Sequence, residues 1–559
     1  MKKFLKSLFC LSMALVLTAC STTNVRLDTV SNVKALSVED AEVEIAALLG
    51  DVDVTTVDKP ALDIYMDEEA DSLALADIDT FDITVQGNND VDIEIATVSE
   101  FVGDAPDDWL NIVARDFNKE RFEIDGRTVS VTLRNMSAGE VVTYISAGAY
   151  KPNCYIPSHS AWGKMLEASG VTVNKIVDRI AGNTAGILMS KDAYNTFHDK
   201  YKEDTVSNVL KAATAGDIVF AYTNPYTSST GLNILTAMLK DFDPADPLSA
   251  KASEALLEYQ KTAPPVAYTT GVLRNQARKG IIDTMVMEEQ AYINTPELKN
   301  YTFMPFGIRH DHPVYTFDWN SDVENEVAKM FVDYCLNDHN QKLATEKGFN
   351  RNDGYKSQDS GLTGTGYLTA QALWKQNKNG GKPIVAVFVA DTSGSMGGEA
   401  LNALQSSLVA TTPYINSDHY VGLVSYSDDV TINLPIVQFN SKQKAHFAGE
   451  VKNLIANGAT STYDAVLVAV DMLVKKMDEI PNATPLLFVL TDGEATSGYS
   501  LNRIAPVVAG MQIPVYSIAY NYSDNGDLEI LSGLNEAAVI KADSDDIVNQ
   551  LRNLFNTQL

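Results

Sequence analysis

The chain has 559 residues, of which 45% are apolar and 21% are charged, a composition typical of folded globular proteins. This length predicts about three domains, at roughly 100–200 residues for each. Acidic residues outnumber basic residues by 73 to 43, and the net charge of −30 excludes broad binding to the phosphate backbone of nucleic acids.

The amino terminus has the pattern of a bacterial export signal. Three lysines precede an apolar stretch over residues 8–17, which is too short to span a bilayer. The following Leu17-Thr18-Ala19-Cys20 resembles the lipobox of bacterial lipoproteins, whose cysteine carries acyl chains such as palmitate. The resemblance predicts a signal peptide over 1–19, lipidation at Cys20 and a protein anchored to the membrane outside the cytoplasm. The resemblance leaves open whether the protein is located at the cell surface or in a periplasm.

Residues 20–90 are strongly acidic. Between Glu39 and Glu94 there are 18 acidic residues and a single lysine. Because like charges repel and no helical or strand period is sustained, this stretch predicts a solvated tether. A calcium-binding module is disfavoured, since no Asp-x-Asp-x-Asp-Gly loop is present.

Strands and helices alternate over 91–350, which predicts an α/β domain. Several of the helices begin with Ser or Thr. These residues are either ordinary N-caps or part of helix N-termini that converge on an anion.

Three motifs in this region resemble the type II solute-binding proteins of ABC transporters. They are Ala105-Pro106-Asp107-Asp108-Trp109-Leu110, Pro157-Ser158-His159-Ser160-Ala161-Trp162 and Asn224-Pro225-Tyr226-Thr227-Ser228-Ser229-Thr230-Gly231-Leu232. The resemblance implies two α/β lobes that close over a small solute, as in periplasmic binding proteins, with Ser99, Ser137, Ser160 and Ser229 facing the cleft. Relatives bind oxyanions, amino acids or metals, and a cleft that has lost its ligand is an alternative.

Two other patterns carry less information. Arg309-His310-Asp311-His312 precedes a proline and favours a turn over a metal site. Cys154 and Cys335 remain after the leader and Cys20 are set aside, and they either pair or lie apart as buried thiols.

Residues 351–381 have the Gly-, Ser- and Asn-rich composition of a linker, with one helix over 367–375. The apolar runs 383–390 and 485–490 that follow predict central parallel strands, covered on both faces.

Polar side chains follow both of these strands. Asp391, Ser393 and Ser395 follow the first, and Asp492 follows the second. Because the carboxyl ends of parallel strands share one edge of a sheet, these side chains are expected to meet there, together with Thr460 from a nearby loop. All five side chains offer oxygen atoms, and only the two aspartates among them are charged. Such a set of ligands suits Mg²⁺ or Mn²⁺.

The segment 382–559 resembles the von Willebrand factor type A (VWA) domain. The resemblance implies a Rossmann-like fold, with a mostly parallel sheet between helices, and a metal-ion-dependent adhesion site. Ser393, Ser395 and Thr460 match the hydroxyls that bind metal directly, while Asp391 and Asp492 match its carboxylates. In that family a partner's acidic side chain completes the metal site. Gly458-Ala459-Thr460 departs from the usual Gly-Gly-Thr, so Ser461 and Thr462 are alternatives to Thr460.

These features predict a non-enzymatic lipoprotein that binds a protein partner through Mg²⁺. The alternative is a solute-binding component of an ABC-type transporter, with the VWA domain as a docking module. Hydrolysis assisted by Mg²⁺ is disfavoured, because no candidate base or nucleophile stands beside the metal motif.

Overall fold

The computed structural model describes residues 33–559, except 64–74, 76, 263, 268–269, 279, 281, 521–525, 536, 538 and 543–546. The predicted signal peptide and lipidation site Cys20 lie outside the described residues. Three β-sheets organise this part of the chain. Among the helices in these ranges, none is both long enough and apolar enough to cross a bilayer.

The first elements of the chain are α1 (Val38–Leu48) and β1 (Val54–Thr56). The strands of the middle region are β2 (Ile83–Val85), β3 (Val91–Thr97), β4 (Glu123–Ile124), β5 (Arg127–Asn135), β6 (Cys154–Ile156), β7 (Val173–Val177), β8 (Ala185–Met189), β9 (Phe220–Thr223), β10 (Val266–Ala267), β11 (Thr284–Glu288), β12 (Thr302–Pro305) and β13 (Val314–Phe317). Its helices are α2 (Ser99–Val102), α3 (Trp109–Glu120), α4 (Ala138–Ser146), α5 (Ala161–Ala168), α6 (Lys191–Tyr201), α7 (Val206–Thr214), α8 (Ser229–Phe242), α9 (Ala250–Gln260), α10 (Thr270–Arg278), α11 (Glu289–Ile293), α12 (Asp322–Cys335) and α13 (Asp338–Glu346).

The middle region forms two lobes, each built on one sheet. The first lobe has the order β2-β5-β3-β6-β13-β7, with β4 paired to β5, and the second has the order β10-β9-β11-β8-β12. Strands β8, β9 and β11 are buried at every residue, as expected of strands covered on both faces. The chain enters the second lobe between β7 and β8 and returns between β12 and β13. The predicted pair of α/β lobes is confirmed.

The predicted linker contains a helix that packs on both lobes, α14 (Gly364–Asn377). A Cβ atom on Gly364 would lie 1.9 Å from the carbonyl oxygen of Lys164 in α5, so the two helices touch. At the other end of α14, the buried indole of Trp374 donates to the hydroxyl of Tyr222 in β9 at 2.8 Å. The linker interpretation is therefore wrong for this helix. Two of its large aromatic side chains, Tyr367 and Trp374, are fully buried, so one face of the helix packs against the lobes.

The carboxyl-terminal region holds the third sheet. Its strands are β14 (Ile384–Asp391), β15 (Tyr420–Tyr426), β16 (Val430–Gln438), β17 (Thr484–Thr491), β18 (Val515–Tyr520) and β19 (Val539–Ala542). Its helices are α15 (Glu399–Thr411), α16 (Ser441–Lys452), α17 (Thr462–Glu479), α18 (Leu501–Met511), α19 (Gly526–Gly533) and α20 (Ile547–Gln558).

This sheet has the order β1-β16-β15-β14-β17-β18-β19. The central strand β14 is buried at every residue and pairs in parallel with β15 and β17, and only β16 runs antiparallel to its neighbour β15. Apolar side chains of α17 and α18 cover one face, and those of α15, α16 and α20 cover the other. The predicted Rossmann-like arrangement is confirmed.

The acidic amino-terminal segment is also part of this third unit. Ala41, Ile45 and Leu48 repeat at helical spacing on α1 and are buried against the sheet-covering helices, chiefly α18. Strand β1 then pairs in parallel with β16, with Val54 opposite Val430. The tether interpretation is wrong for α1 and β1, because three buried apolar side chains suffice to dock a helix whose other faces are acidic.

Candidate metal centre

The buried carboxylate of Asp391 forms the floor of the predicted metal site. Asp391 is the last residue of β14, and β17 ends beside it at Thr491. The Ser393 amide donates to Asp391 Oδ1 at 2.8 Å, and the Thr491 hydroxyl donates to Oδ2 at 2.6 Å. Burial raises the pKa of Asp391, and the nearby charge of Asp492 raises it further. A cation at this position would relieve both effects.

A chain of short contacts connects the other oxygen atoms of the site. The hydroxyls of Ser393 and Ser395 lie 3.0 Å apart, and the Ser395 hydroxyl donates to Asp492 Oδ1 at 2.8 Å. Ser393 is buried, whereas Ser395 is exposed. The structure therefore brings four of the five predicted metal ligands together at one edge of the sheet, open to solvent.

The loop that carries Thr460 lies against the same edge. The Gly394 amide donates to the carbonyl oxygen of Gly458 at 3.0 Å, and the Asn457 amide donates to that of Thr392 at 2.8 Å. These bonds join the loop before Thr460 to the loop after β14. Two carboxylates and three hydroxyls, all oxygen donors, fit a hard cation such as Mg²⁺.

Three of the predicted cleft serines lie at helix starts of the first lobe. Ser137 caps α4 and accepts from the Glu140 amide at 3.3 Å. Ser160 precedes α5, and its side chain makes no capping bond. Ser99 is the first residue of α2 and is exposed, and its hydroxyl donates to Asn135 Oδ1 at 2.9 Å. Contact of these serines with a solute stays a prediction.

The fourth serine, Ser229, is buried where the two lobes touch. Its hydroxyl accepts from the indole of Trp162 in α5 at 2.9 Å, and its carbonyl oxygen lies 3.0 Å from His159 Nε2. Nearby, a Cβ atom on Gly139 would lie 1.7 Å from the carbonyl oxygen of Tyr226, so α4 contacts the second lobe directly. Groups of the first lobe therefore engage both the hydroxyl and the carbonyl oxygen of this serine where the lobes touch.

A second cluster of polar side chains, the interlobe cluster, was not predicted as a site. It consists of Glu100, Glu288 and His310, whose potential ligand atoms lie within 4.8 Å of one another. His312 Nε2 lies 3.0 Å from Glu100 Oε1, and His312 Nδ1 donates to the carbonyl oxygen of Ala181 at 2.9 Å. The sequence pattern around His310 favoured a turn, because two histidines at i and i+2 are followed by a proline. The carboxylates beside them come from distant parts of the chain, which a local pattern does not reveal.

Burial and charge shift the pKa values of this cluster in opposite directions. Burial raises the pKa of Glu288, and the charge of Glu100 raises it further. Burial also disfavours ionisation of Glu100, but the His312 ring outweighs burial and lowers the pKa of Glu100. Burial lowers the pKa of His310, which keeps its ring neutral. The cluster thus combines a neutral imidazole with two carboxylates that repel each other.

Cys154 and Cys335 are free, buried thiols in the core of the first lobe. The sequence left open whether these two cysteines form a disulfide, and in the structure they do not. Burial raises the pKa of both thiols, which keeps them protonated and unreactive.

Comparison with known proteins decides the class of the carboxyl-terminal region, since residues 386–555 match the family model of the von Willebrand factor type A domain. This region is a VWA domain. Inter-alpha-trypsin inhibitor heavy chain H3 from Bos taurus is 28% identical over 169 residues, which are 27% of this chain and 19% of that protein. Heavy chain H4 from Bos taurus is 31% identical over 120 residues, covering 21% of this chain and 13% of that protein. The chain spans about a fifth or less of the length of these relatives.

Residues 99–350 match the family model of bacterial extracellular solute-binding proteins, so a solute-binding module precedes the VWA domain. Iron-bound HitA from Pseudomonas aeruginosa is a similar solved structure, with 13% identity, a TM-score of 0.39, and coverage of 52% of this chain and 99% of that chain. A von Willebrand factor type A structure from Catenulispora acidiphila has 17% identity, a TM-score of 0.29, and coverage of 31% and 42%.

The departure from Gly-Gly-Thr in the VWA domain has a local explanation. Gly458 has φ of +72°, and a Cβ atom there would lie 2.2 Å from Asp428 Oδ2, so this position requires glycine. Position 459 has no such constraint and accepts alanine. The hydroxyl of Ser461 donates to the Ser427 carbonyl at 2.6 Å, and that of Thr462 contacts the Tyr426 hydroxyl at 3.2 Å. Both alternatives to Thr460 are thus engaged elsewhere.

Proposed function

We propose that the chain is an extracytoplasmic, membrane-anchored protein that binds a protein partner through Mg²⁺, or Mn²⁺, held by its VWA domain. The contact chain from Ser393 through Ser395 to Asp492 carries this proposal, because it assembles oxygen ligands at an exposed edge of the sheet. The role is binding rather than catalysis.

The charges of the site explain why the partner would offer an acidic side chain. Asp391 and Asp492 are the two charged groups among the five proposed ligands, and each is held by a hydrogen bond from a hydroxyl. The bound ion would supply an electrophilic position that a further carboxylate can occupy. Ser393, Ser395 and Thr460 would bind the metal through neutral oxygen atoms, which leaves the ion free to attract that carboxylate.

A pull-down tests this function. Membrane proteins captured by the full chain in Mg²⁺ are expected to elute when EDTA removes the metal. Capture that is equal in Mg²⁺ and in EDTA would contradict the proposed function, because the partner would then bind through another surface.

Anchoring at Cys20 gives a separate prediction. Replacing Cys20 with serine removes the thiol that carries the acyl chains, so the protein is expected to move from the membrane fraction to the soluble extract. Fractionation followed by immunoblotting measures the change. The matched control is Cys154→Ser, which removes a thiol buried in the first lobe and is expected to leave the protein at the membrane. Unchanged membrane retention of Cys20→Ser would contradict lipid anchoring.

The two-lobe architecture and the family match favour a second function, the binding of a small solute in transport. The docking of α14 on both lobes limits how far they separate, which favours the partner-binding function over this one. If a solute does bind, saturation at 100 times its Kd would stabilise the folded chain by about 2.7 kcal/mol. We expect such a ligand to raise the melting temperature of the full chain in a screen of oxyanions and amino acids. A screen with no shift would leave partner binding as the function.

A further inference from the structure

The interlobe cluster draws its three members from three parts of the middle region. Glu100 lies on α2 of the first lobe, Glu288 ends β11 of the second lobe, and His310 lies on the segment that returns from the second lobe to the first. All three side chains are largely buried, with exposed fractions of 12%, 7% and 0%. The cluster therefore occupies the place where the two lobes and a connecting segment meet.

The His310 ring is the unusual member. It is fully buried, and neither of its ring nitrogens has a hydrogen-bond partner among the described residues. A buried polar group without a partner carries a desolvation cost, and such groups are rare in folded proteins. The ring has the two carboxylates within reach, yet neither carboxylate bonds to it. An imidazole with two unpartnered nitrogens beside two carboxylates therefore points to a ligand, held through one of these nitrogens, between the three side chains.

The two carboxylates are held in place by other groups. The Thr230 hydroxyl donates to Glu288 Oε1 at 2.5 Å, and the His312 ring lies 3.0 Å from Glu100 Oε1. His312 is itself oriented by its bond to the carbonyl oxygen of Ala181. Two oriented carboxylates that face a neutral imidazole form an arrangement in which a divalent cation would neutralise both charges and occupy the nitrogen lone pair.

We propose that Glu100, Glu288 and His310 hold a divalent first-row transition metal ion, such as Zn²⁺, as a resident part of the solute-binding module. An imidazole ligand favours such ions over Mg²⁺ and Ca²⁺, which prefer oxygen alone. The potential ligand atoms lie within 4.8 Å of one another. Ligands of a tetrahedral Zn²⁺ stand about 3.3–3.6 Å apart, so binding would draw the widest-spaced of these atoms together by up to about 1.5 Å. The ion would thereby pin the two lobes to each other. This proposal does not depend on the metal of the VWA domain.

Zinc content of the purified full chain tests the proposal. The protein, prepared without a histidine tag, is dialysed against ZnCl₂ in excess Mg²⁺, passed through a desalting column and measured by mass spectrometry of the metal. The wild-type chain is expected to retain one equivalent of Zn²⁺, because the buried site releases the ion slowly. Glu288→Gln and His310→Gln each remove one ligand and are expected to weaken Zn²⁺ binding by at least about tenfold.

Two further variants separate this site from others. Glu289→Gln changes the next carboxylate along the chain, whose neighbours are Arg351 and Arg309 rather than the cluster, and it should retain Zn²⁺. Asp391→Asn removes the charge at the floor of the proposed VWA metal site and should also retain Zn²⁺. Glu288→Gln conserves shape, and circular dichroism confirms its fold. Zinc retained by both ligand variants, zinc lost only from Asp391→Asn, or a wild-type chain without zinc would each overturn the proposal.

Discussion

Replacing Asp391 with alanine is expected to reduce Mg²⁺-dependent capture of the partner to the level seen in EDTA. The change removes one of the two charged ligands, and it removes the acceptor that holds Thr491 and the Ser393 amide in place. The strand itself should survive, because its apolar residues remain buried between two layers of helices. The measurement is a pull-down in Mg²⁺ and in EDTA, together with circular dichroism.

Two matched variants isolate the role of the charge. Asp391→Asn keeps the shape of the side chain and an oxygen that can accept from the Ser393 amide, so loss of capture by this variant reports the missing charge. Glu494→Ala removes an exposed carboxylate two residues beyond Asp492 and is expected to leave capture unchanged. Full Mg²⁺-dependent capture by Asp391→Ala, with a native spectrum, would rule out the adhesion-site assignment.

Replacing Ile45 with aspartate is expected to destabilise the VWA domain by about 3 kcal/mol or more, because it removes a buried side chain and places an unpaired carboxylate among apolar neighbours. Ile45 is 3% exposed and packs in the same cluster as residues of β14 and α18. The free energy of unfolding of the full chain in urea measures the effect, taken from the transition of the VWA domain.

The same helix offers the control. Val43 is two residues away and 71% exposed, so Val43→Asp adds the same charge to the same acidic helix without burying it. Its effect should stay within about 0.5 kcal/mol. If α1 were a solvated tether, both substitutions would be neutral, and equal stability of the two variants would contradict the packing of α1.

Some of this architecture is readable from the sequence because its signals are local. A continuous apolar run such as 383–390 has one common solution, a central strand covered on both faces, and β14 is that strand. Residues after such a strand necessarily emerge at its carboxyl edge. The contacts among Asp391, Ser393, Ser395 and Asp492 therefore agree with an expectation that needed only two strands and their direction.

Composition misled where a few apolar residues decide the packing. In α1 the acidic residues dominate the charge pattern, but the three side chains Ala41, Ile45 and Leu48 determine where the helix lies. In α14 the polar flanks suggested a linker, while the buried Tyr367 and Trp374 fasten the helix to the lobes. A docked helix needs only one apolar face, and the surface that receives it is formed by residues far away in the chain.

By itself the sequence determined the two α/β units, the central strands and the positions of the proposed metal ligands of the VWA domain, because each depends on apolar periodicity or on residues next to strand ends. Only the tertiary structure decided that the amino-terminal helix and strand join the VWA unit, that the two cysteines stay apart, and that Glu100, Glu288 and His310 converge. These outcomes depend on contacts between residues separated by tens to hundreds of positions. A local pattern carries no information on such contacts, because folding of the whole chain, and not the spacing of residues along the sequence, brings those side chains together.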